Sequence, residues 1–312
     1  MRLAIMGSGG VGGYFGARLA EAGHRVTFIA RGEHLATMRR DGLRVTSIAG
    51  DVHLPEVDAS DDPAEVGAVE AVIVAVKAWQ LDEAARAIRP MIGPDTVVVP
   101  FENGVEAADT LAGILGRAHV LEGLCGILAW KEGPGHIRHA GVEPFVRFGE
   151  RDNRRSQRTA RLKAAFESAR GVTAEIPNDI QVAVWSKFLF ICAMSGIGSL
   201  TRAPIGVSRQ LPETRSLIEQ ILNEIDAVAR AKGVALPRDA VERAMCFIDA
   251  LPEESTASMQ RDIMAGLPSE LEAQNGAVVR LGQQLGVATP VNALIHAALL
   301  PQEQQARRGD AA

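Results

Sequence analysis

Cysteine is scarce. There are three in 312 residues, Cys125, Cys192 and Cys246, far apart and with no CxxC spacing. That excludes a disulfide framework and a thiolate zinc site, and it points to a reducing compartment. The seven histidines show no HExxH or comparable ligand spacing, so no metal site is expected. An excess of positive charge is also missing: the net charge of −5 offers no global field to nucleic acid or to an anionic membrane. The one basic run, Arg151, Arg154, Arg155, Arg158, Arg161 and Lys163, has no aromatics between its charges and reads as the solvated face of a helix. The longest nearly apolar run, residues 188–200, is interrupted by Ser195, Gly196, Gly198 and Ser199 and is too short to span a bilayer. No signal-peptide h-region precedes the first strand-like segment. The expectation is a cytoplasmic protein with neither membrane nor nucleic acid as partner.

What is present is globular. The chain is 47% hydrophobic and 23% charged, enough apolar material for one large and one smaller core. Residues 3–6 (LAIM) read as a buried parallel strand, residues 11–22 as a helix closed by Gly23, and residues 25–30 (RVTFIA) as the next strand. That is one βαβ unit. The alternation continues with strands at 71–76 and 96–100 and helices at 81–89 and 106–115, which implies a doubly wound parallel sheet. Residues 121–130, 135–139 and 145–148 then look like strands without intervening helices, expected as antiparallel additions to that sheet. A helix near 155–170 closes this half. Ile176-Pro177-Asn178-Asp179 marks the boundary, because proline disfavours helix before it and Asn or Asp suits a cap.

Beyond residue 180 no strand pattern is found. Leu217, Ile218, Ile221, Leu222, Ile225 and Val228 recur at helical spacing, and two later helices stop at Gly233 and Gly286, each followed by a proline. The fold class is therefore α/β, with a Rossmann-type domain over 1–176 and an all-α domain over 177–312. Apolar stripes of this kind permit a homodimer.

The first turn reads Gly7-Ser8-Gly9-Gly10-Val11-Gly12, a GxGxxG between a strand and a helix. The glycines allow the tight turn, the approach of a pyrophosphate and close helix–strand packing, while the helix N-terminus faces the phosphates. At the end of the second strand an NAD site places an acidic residue. This chain has Ala30-Arg31, with no carboxylate to repel a 2′-phosphate and an arginine to clasp one, so NADP(H) is preferred. Lys77 and Asn103 stand at the carboxyl ends of the next two strands, the edge where open α/β sheets bind ligands. Lys187 lies in Trp185-Ser186-Lys187-Phe188-Leu189-Phe190-Ile191, the most apolar setting of any lysine in the chain. Burial there would make the ammonium a better proton donor to the alkoxide formed when a ketone accepts hydride.

Several motifs recur in order: the N-terminal GxGxxG, Val76-Lys77-Ala78-Trp79-Gln80, Asn103-Gly104, Asn178-Asp179 leading to Trp185 and Lys187, Leu200-Thr201, Ser258-Met259 with Asp262-Ile263, then Glu270 and Asn275-Gly276. Over nearly its whole length the chain resembles the ketopantoate reductases (2-dehydropantoate 2-reductases). The resemblance implies a Rossmann domain joined to a helical domain, with the active site in the cleft. NADPH would reduce the 2-oxo group of ketopantoate to pantoate for pantothenate synthesis. It implies Lys187 as general acid, Asn103 and Lys77 lining the nicotinamide and substrate pocket, Ser258 binding substrate, and Glu270 contacting the cofactor end or orienting Lys187.

One departure stands out. Many family members carry asparagines one and two helical turns after the lysine and again further on, where this chain has Ile191, Ser195 and Ile205. Ser195 would recover one substrate contact, and Thr201-Arg202 offers a partner for a substrate carboxylate. The more apolar set favours, as the alternative, a paralogue that reduces a different, less hydroxylated 2-oxo acid. A nicotinamide-binding sensor without turnover is the reading from another class. The lysine and glutamate at acid-like positions argue against it, and turnover on a 2-oxo acid panel separates the three.

Overall fold

A computed structural model describes residues 1–309 as two compact units, Met1–Glu102 with Ala107–Ile180, and Asn103–Glu106 with residues 181–309. The expected boundary at 176/177 thus moves to the first turn of a helix at 180/181, and the short segment after the last parallel strand groups with the helical unit.

The first unit holds strands β1 (Arg2–Met6), β2 (Arg25–Ile29), β3 (Leu43–Ser47), β4 (Val52–Leu54), β5 (Asp58–Ser60), β6 (Val69–Val74), β7 (Ile92–Pro100), β8 (Glu122–Gly133), β9 (His136–Gly149) and β10 (Thr173–Glu175). Its helices are α1 (Gly10–Glu21), α2 (Gly32–Asp41), α3 (Pro63–Val66), α4 (Leu81–Ala87), α5 (Ala107–Leu115) and α6 (Gln157–Glu167). Five strands form a wholly parallel sheet in the order β5-β2-β1-β6-β7. Both faces are buried, as the near-continuous apolar strands require. Leu3, Ile5, Val26, Phe28, Ile73 and Val99 face one core, with Tyr14 and Phe15 of α1. Ala4, Met6, Ile29, Val72, Val74 and Val98 alternate onto the other, with Ala84 of α4 and Leu111 of α5.

The strands expected as additions to this sheet do not join it. The long antiparallel hairpin β8–β9 builds a second sheet, ordered β10-β9-β3-β4 with β8 on β9. Its partner strand β3 pairs in parallel with β9, Val45 opposite Ile137, and β10 pairs in parallel with β9 as well. Strands β3, β4, β5 and β10 and helix α2 are short or weakly patterned, and only their long-range partners reveal them.

The second unit has no strand among the described residues. It comprises α7 (Ile180–Thr201), α8 (Ile205–Gln210), α9 (Pro212–Ala231), α10 (Ala240–Ala250), α11 (Ser258–Met264), α12 (Asn275–Leu285) and α13 (Pro290–Gly309). Helix α9 buries Ile218, Ile221, Leu222, Ile225 and Val228, the predicted stripe. Its Glu224 accepts the Val291 and Asn292 N–H groups at 2.8 and 2.9 Å and so caps the start of α13. Helix α7 is longer than the apolar run suggested. At 22 residues it is the one described helix long and apolar enough to cross a membrane. Length therefore does not decide the matter; burial does, since Val184, Trp185, Phe188, Leu189, Cys192, Ala193 and Ile197 are covered by protein.

Candidate functional site

The glycine turn follows β1 directly. Gly7 has φ +97°, which an L side chain rarely adopts, and a Cβ on Gly12 would stand 2.1 Å from the Gly7 carbonyl oxygen and 2.7 Å from Ile5 Cγ2. Gly9 is different. A Cβ there meets nothing within 4 Å, and the residue caps α1 without any side-chain hydrogen bond. The turn is thus packed on its inner side and open on its outer side, at the end of a helix whose first N–H groups lack intrahelical partners.

Open space at Gly9 belongs to a cavity of about 250 Å³ lined by Gly7, Ser8, Ala30, Arg31, His34, Gln80, Glu83 and Lys131, among others. Ser8 was expected to bind cofactor, but its side chain turns inward: it is 3% exposed and its Oγ donates to the Ile29 carbonyl at 2.9 Å. It ties the turn to the end of β2.

His34, which the sequence gave no reason to single out, supports the same turn. The Gly135 N–H donates to its Nδ1 at 2.9 Å, so the proton sits on Nε2, which donates to the Ser8 carbonyl at 2.8 Å. The bond from Gly135 needs an unprotonated Nδ1 and hence the neutral ring, whereas the Nε2 bond to Ser8 survives protonation. Burial lowers the His34 pKa from its ordinary 6.5; the bond to Ser8 opposes the fall and nearby Lys131 adds to it. A base whose folded pKa is depressed contributes stability that is present above the unfolded value and lost as pH falls through the folded one. Acidification from about pH 7 to about pH 5 is therefore expected to lower the melting temperature. His34→Gln should flatten that acid limb, and an unchanged slope in a pH series of thermal melts would remove His34 from the account.

Arg31 lies at the cavity, but the expectation that no carboxylate stands near it is corrected. Its Nη2 donates to Oε1 of Glu83 on α4 at 2.7 Å. Lys77 is half-buried in a turn closed by Gln80, whose N–H donates to the Lys77 carbonyl at 2.8 Å and whose Oε1 accepts the Lys77 N–H at 3.3 Å.

In the second unit three predicted residues meet. Lys187, half-buried on α7, donates from Nζ to Asn103 Oδ1 at 2.8 Å, and Asn103 Nδ2 donates to Glu270 Oε2 at 3.1 Å. The amide orientation is fixed by chemistry, since an ammonium can only donate and a carboxylate can only accept. Glu270 is buried and also accepts from Gln274 Nε2 at 3.4 Å. It acts on Lys187 through Asn103, which makes it a positioning residue in this unit. Asn103 reaches this place because its segment packs with the helices: Gly104, at φ +123°, passes close to the Ala273 carbonyl, and Glu106 accepts from Arg280 at 2.8 Å.

Ser195 and Arg202 do not join this group. Ser195 is fully buried with no partner for its Oγ among the described residues, and it lies eight residues past Lys187, about 12 Å along the helix. It offers no surface to a ligand. Arg202 takes the left-handed position that ends α7, with φ +58°. Fifteen residues from Lys187, about 22 Å along the axis, it lies too far to hold the carboxylate of the same small substrate. Ile205 is buried, Ser258 begins α11 half-buried, and Ile191 is half-buried one turn beyond Lys187 on the same helix face.

Residues 3–153 match the family described as ketopantoate reductase PanE/ApbA, and residues 179–303 match its C-terminal counterpart. An uncharacterised oxidoreductase of Bacillus subtilis, YkpB, is 32% identical over 302 residues, covering 96% of this chain and 98% of its own. A 2-dehydropantoate 2-reductase of Nostoc sp. is 29% identical over 301 residues, covering 95% of this chain and 93% of its own. The crystal structure of a PanE/ApbA family ketopantoate reductase from Ralstonia eutropha aligns with a TM-score of 0.90 at 32% identity, covering 98% of this chain and all of that one. With both units matched and 32% identity spanning nearly its whole length, the chain belongs to the ketopantoate reductase family of oxidoreductases.

Proposed function

We propose that this protein is a cytoplasmic NADPH-dependent reductase of small 2-oxo acids, with ketopantoate the leading substrate and pantoate, for pantothenate synthesis, the product. The observation that carries the reading is the chain Lys187–Asn103–Glu270, which holds an ammonium by one hydrogen bond and leaves its other protons for a substrate oxygen. The first unit fits a nicotinamide dinucleotide: an open helix N-terminus at Gly9 for the pyrophosphate, and Arg31 beside the cavity for a 2′-phosphate. When bound, that cofactor supplies hydride to the 2-oxo carbon. Lys187 Nζ then gives a proton to the oxygen that becomes alkoxide, and the neutral amine is reprotonated from water. Asn103 keeps the ammonium aimed, and the buried Glu270 carboxylate keeps the Asn103 amide from turning over.

A second reading has its own support. Ile191, on the face of α7 that carries Lys187, cannot hydrogen-bond a substrate hydroxyl, and Ser195 is enclosed. A site lacking those bonds discriminates weakly in favour of a hydroxylated acid, which suits a paralogue acting on a less hydroxylated 2-oxo acid. Cofactor oxidation by purified protein across a panel of 2-oxo acids decides. NADPH turnover with ketopantoate far above the others is the expected result. Turnover confined to other acids selects the paralogue, and binding without turnover on any acid refutes both. The protein's partner on this reading is the small 2-oxo acid substrate.

A further inference from the structure

Dinucleotide sites that use NAD place a carboxylate at the end of the second strand, where it accepts hydrogen bonds from the free ribose hydroxyls. This chain has Arg31 there. The fold nevertheless brings a carboxylate to the same corner from elsewhere, Glu83 on α4, 52 residues further along the chain. Arg31 and Glu83 are bonded at 2.7 Å and both line the cavity at the glycine turn, so any group that reaches one lies beside the other.

We infer that this corner carries two opposed selectors, Arg31 for a 2′-phosphate and Glu83 for unmodified ribose hydroxyls, so that the protein accepts NADH as well as NADPH. The inference rests on the nicotinamide reading above and sharpens it: NADPH is preferred, but only modestly. The donor and acceptor inventory supports it. The bond between the two side chains uses Nη2 of Arg31 and Oε1 of Glu83, leaving two guanidinium nitrogens and one carboxylate oxygen for a ligand. The pair is 63% and 65% exposed, and such surface pairs open easily. A 2′-phosphate gains Arg31 but is drawn against the Glu83 charge. A 2′-hydroxyl gains an acceptor in Glu83 and forgoes Arg31. Arg31 and Lys131 against Glu83, with a neutral His34, leave the cavity one positive charge in surplus, which tips the balance toward the phosphate without settling it.

The test is a binding titration of the full-length protein with NADPH and with NADH, followed by nucleotide fluorescence without substrate. A parallel competition uses adenosine 2′-monophosphate and adenosine 5′-monophosphate as probes of this corner alone. Wild type is expected to bind both dinucleotides, NADPH tighter by no more than about ten-fold. Glu83→Gln keeps the shape of an exposed side chain and removes its charge. It should tighten NADPH and adenosine 2′-monophosphate while weakening NADH, moving the NADPH to NADH affinity ratio up by about ten-fold. Arg31→Gln should move that ratio the other way. A Glu83→Gln protein whose two affinities are unchanged, or change by the same factor, overturns the inference and leaves the cofactor reading standing. Wild type that binds neither dinucleotide overturns both.

Discussion

Lys187→Ala is expected to lower kcat by about two to four orders of magnitude while leaving the affinity for nucleotide unchanged. The split follows from where the side chain acts. It reaches Asn103 and Glu270 inside the helical unit, whereas the glycine turn and its cavity belong to the other unit. Alanine suits a helix interior, so α7 should persist, and Asn103 keeps its bond to Glu270. Lys187→Arg sharpens the test. A guanidinium keeps the positive charge but does not give up its proton near neutral pH. If the lysine served only as a charge, arginine would restore turnover. If it transfers a proton, Lys187→Arg stays near the alanine level. Steady-state kinetics with a separate nucleotide titration reads both quantities, and a Lys187→Ala enzyme within a few-fold of wild type in kcat would end its assignment as the acid.

Two alanines in one turn should behave in opposite ways. Gly12→Ala places a methyl 2.1 Å from the Gly7 carbonyl oxygen, a backbone atom with no room to retreat, because Gly7 itself is pressed against Ala75. The cost is expected at about 3 kcal/mol or more, the upper end for overpacking a core, with a fall in melting temperature of about 10 °C. Gly9→Ala meets no protein atom within 4 Å, so its melting temperature should match wild type. Its methyl instead enters the space read as the pyrophosphate's, and nucleotide affinity should fall by at least about ten-fold. Thermal melts and a nucleotide titration on the two variants separate packing from binding. A stable Gly12→Ala would show that the helix can slide off the strand. A Gly9→Ala protein that binds nucleotide normally would place the phosphates elsewhere.

Parts of the site were legible early because their signal is local. The GxGxxG lies within six consecutive residues and each of its glycines answers to the strand before it or the helix after it. Lys187 announced itself through its immediate apolar neighbours, although in the structure it is half-buried and bonded rather than sealed in. The parallel sheet was legible for the same reason: its strands are buried on both faces and spell themselves out as apolar runs. What failed depended on distance along the chain. The second sheet is held by the parallel pairing of β3 with β9, about ninety residues apart, and neither strand's pattern names its partner. Glu83 looks like an ordinary acid in a helix's first turn until the fold sets it against Arg31. Ser195 was placed by its position relative to the family's asparagines and Arg202 by its charge alone, and the 1.5 Å rise of the helix carries both away from Lys187.

By itself the sequence determined that the chain builds a glycine-rich turn on a parallel sheet, follows it with a helical unit, and sets one lysine among apolar neighbours. Those features rest on contacts between near neighbours, where residue type and period suffice. The tertiary structure alone decided which groups meet: Asn103 with Lys187 and Glu270, His34 between the turn and a hairpin, Glu83 with Arg31. Hydrogen bonds and charges act over a few ångströms, and only the folded chain brings residues dozens of positions apart within that reach.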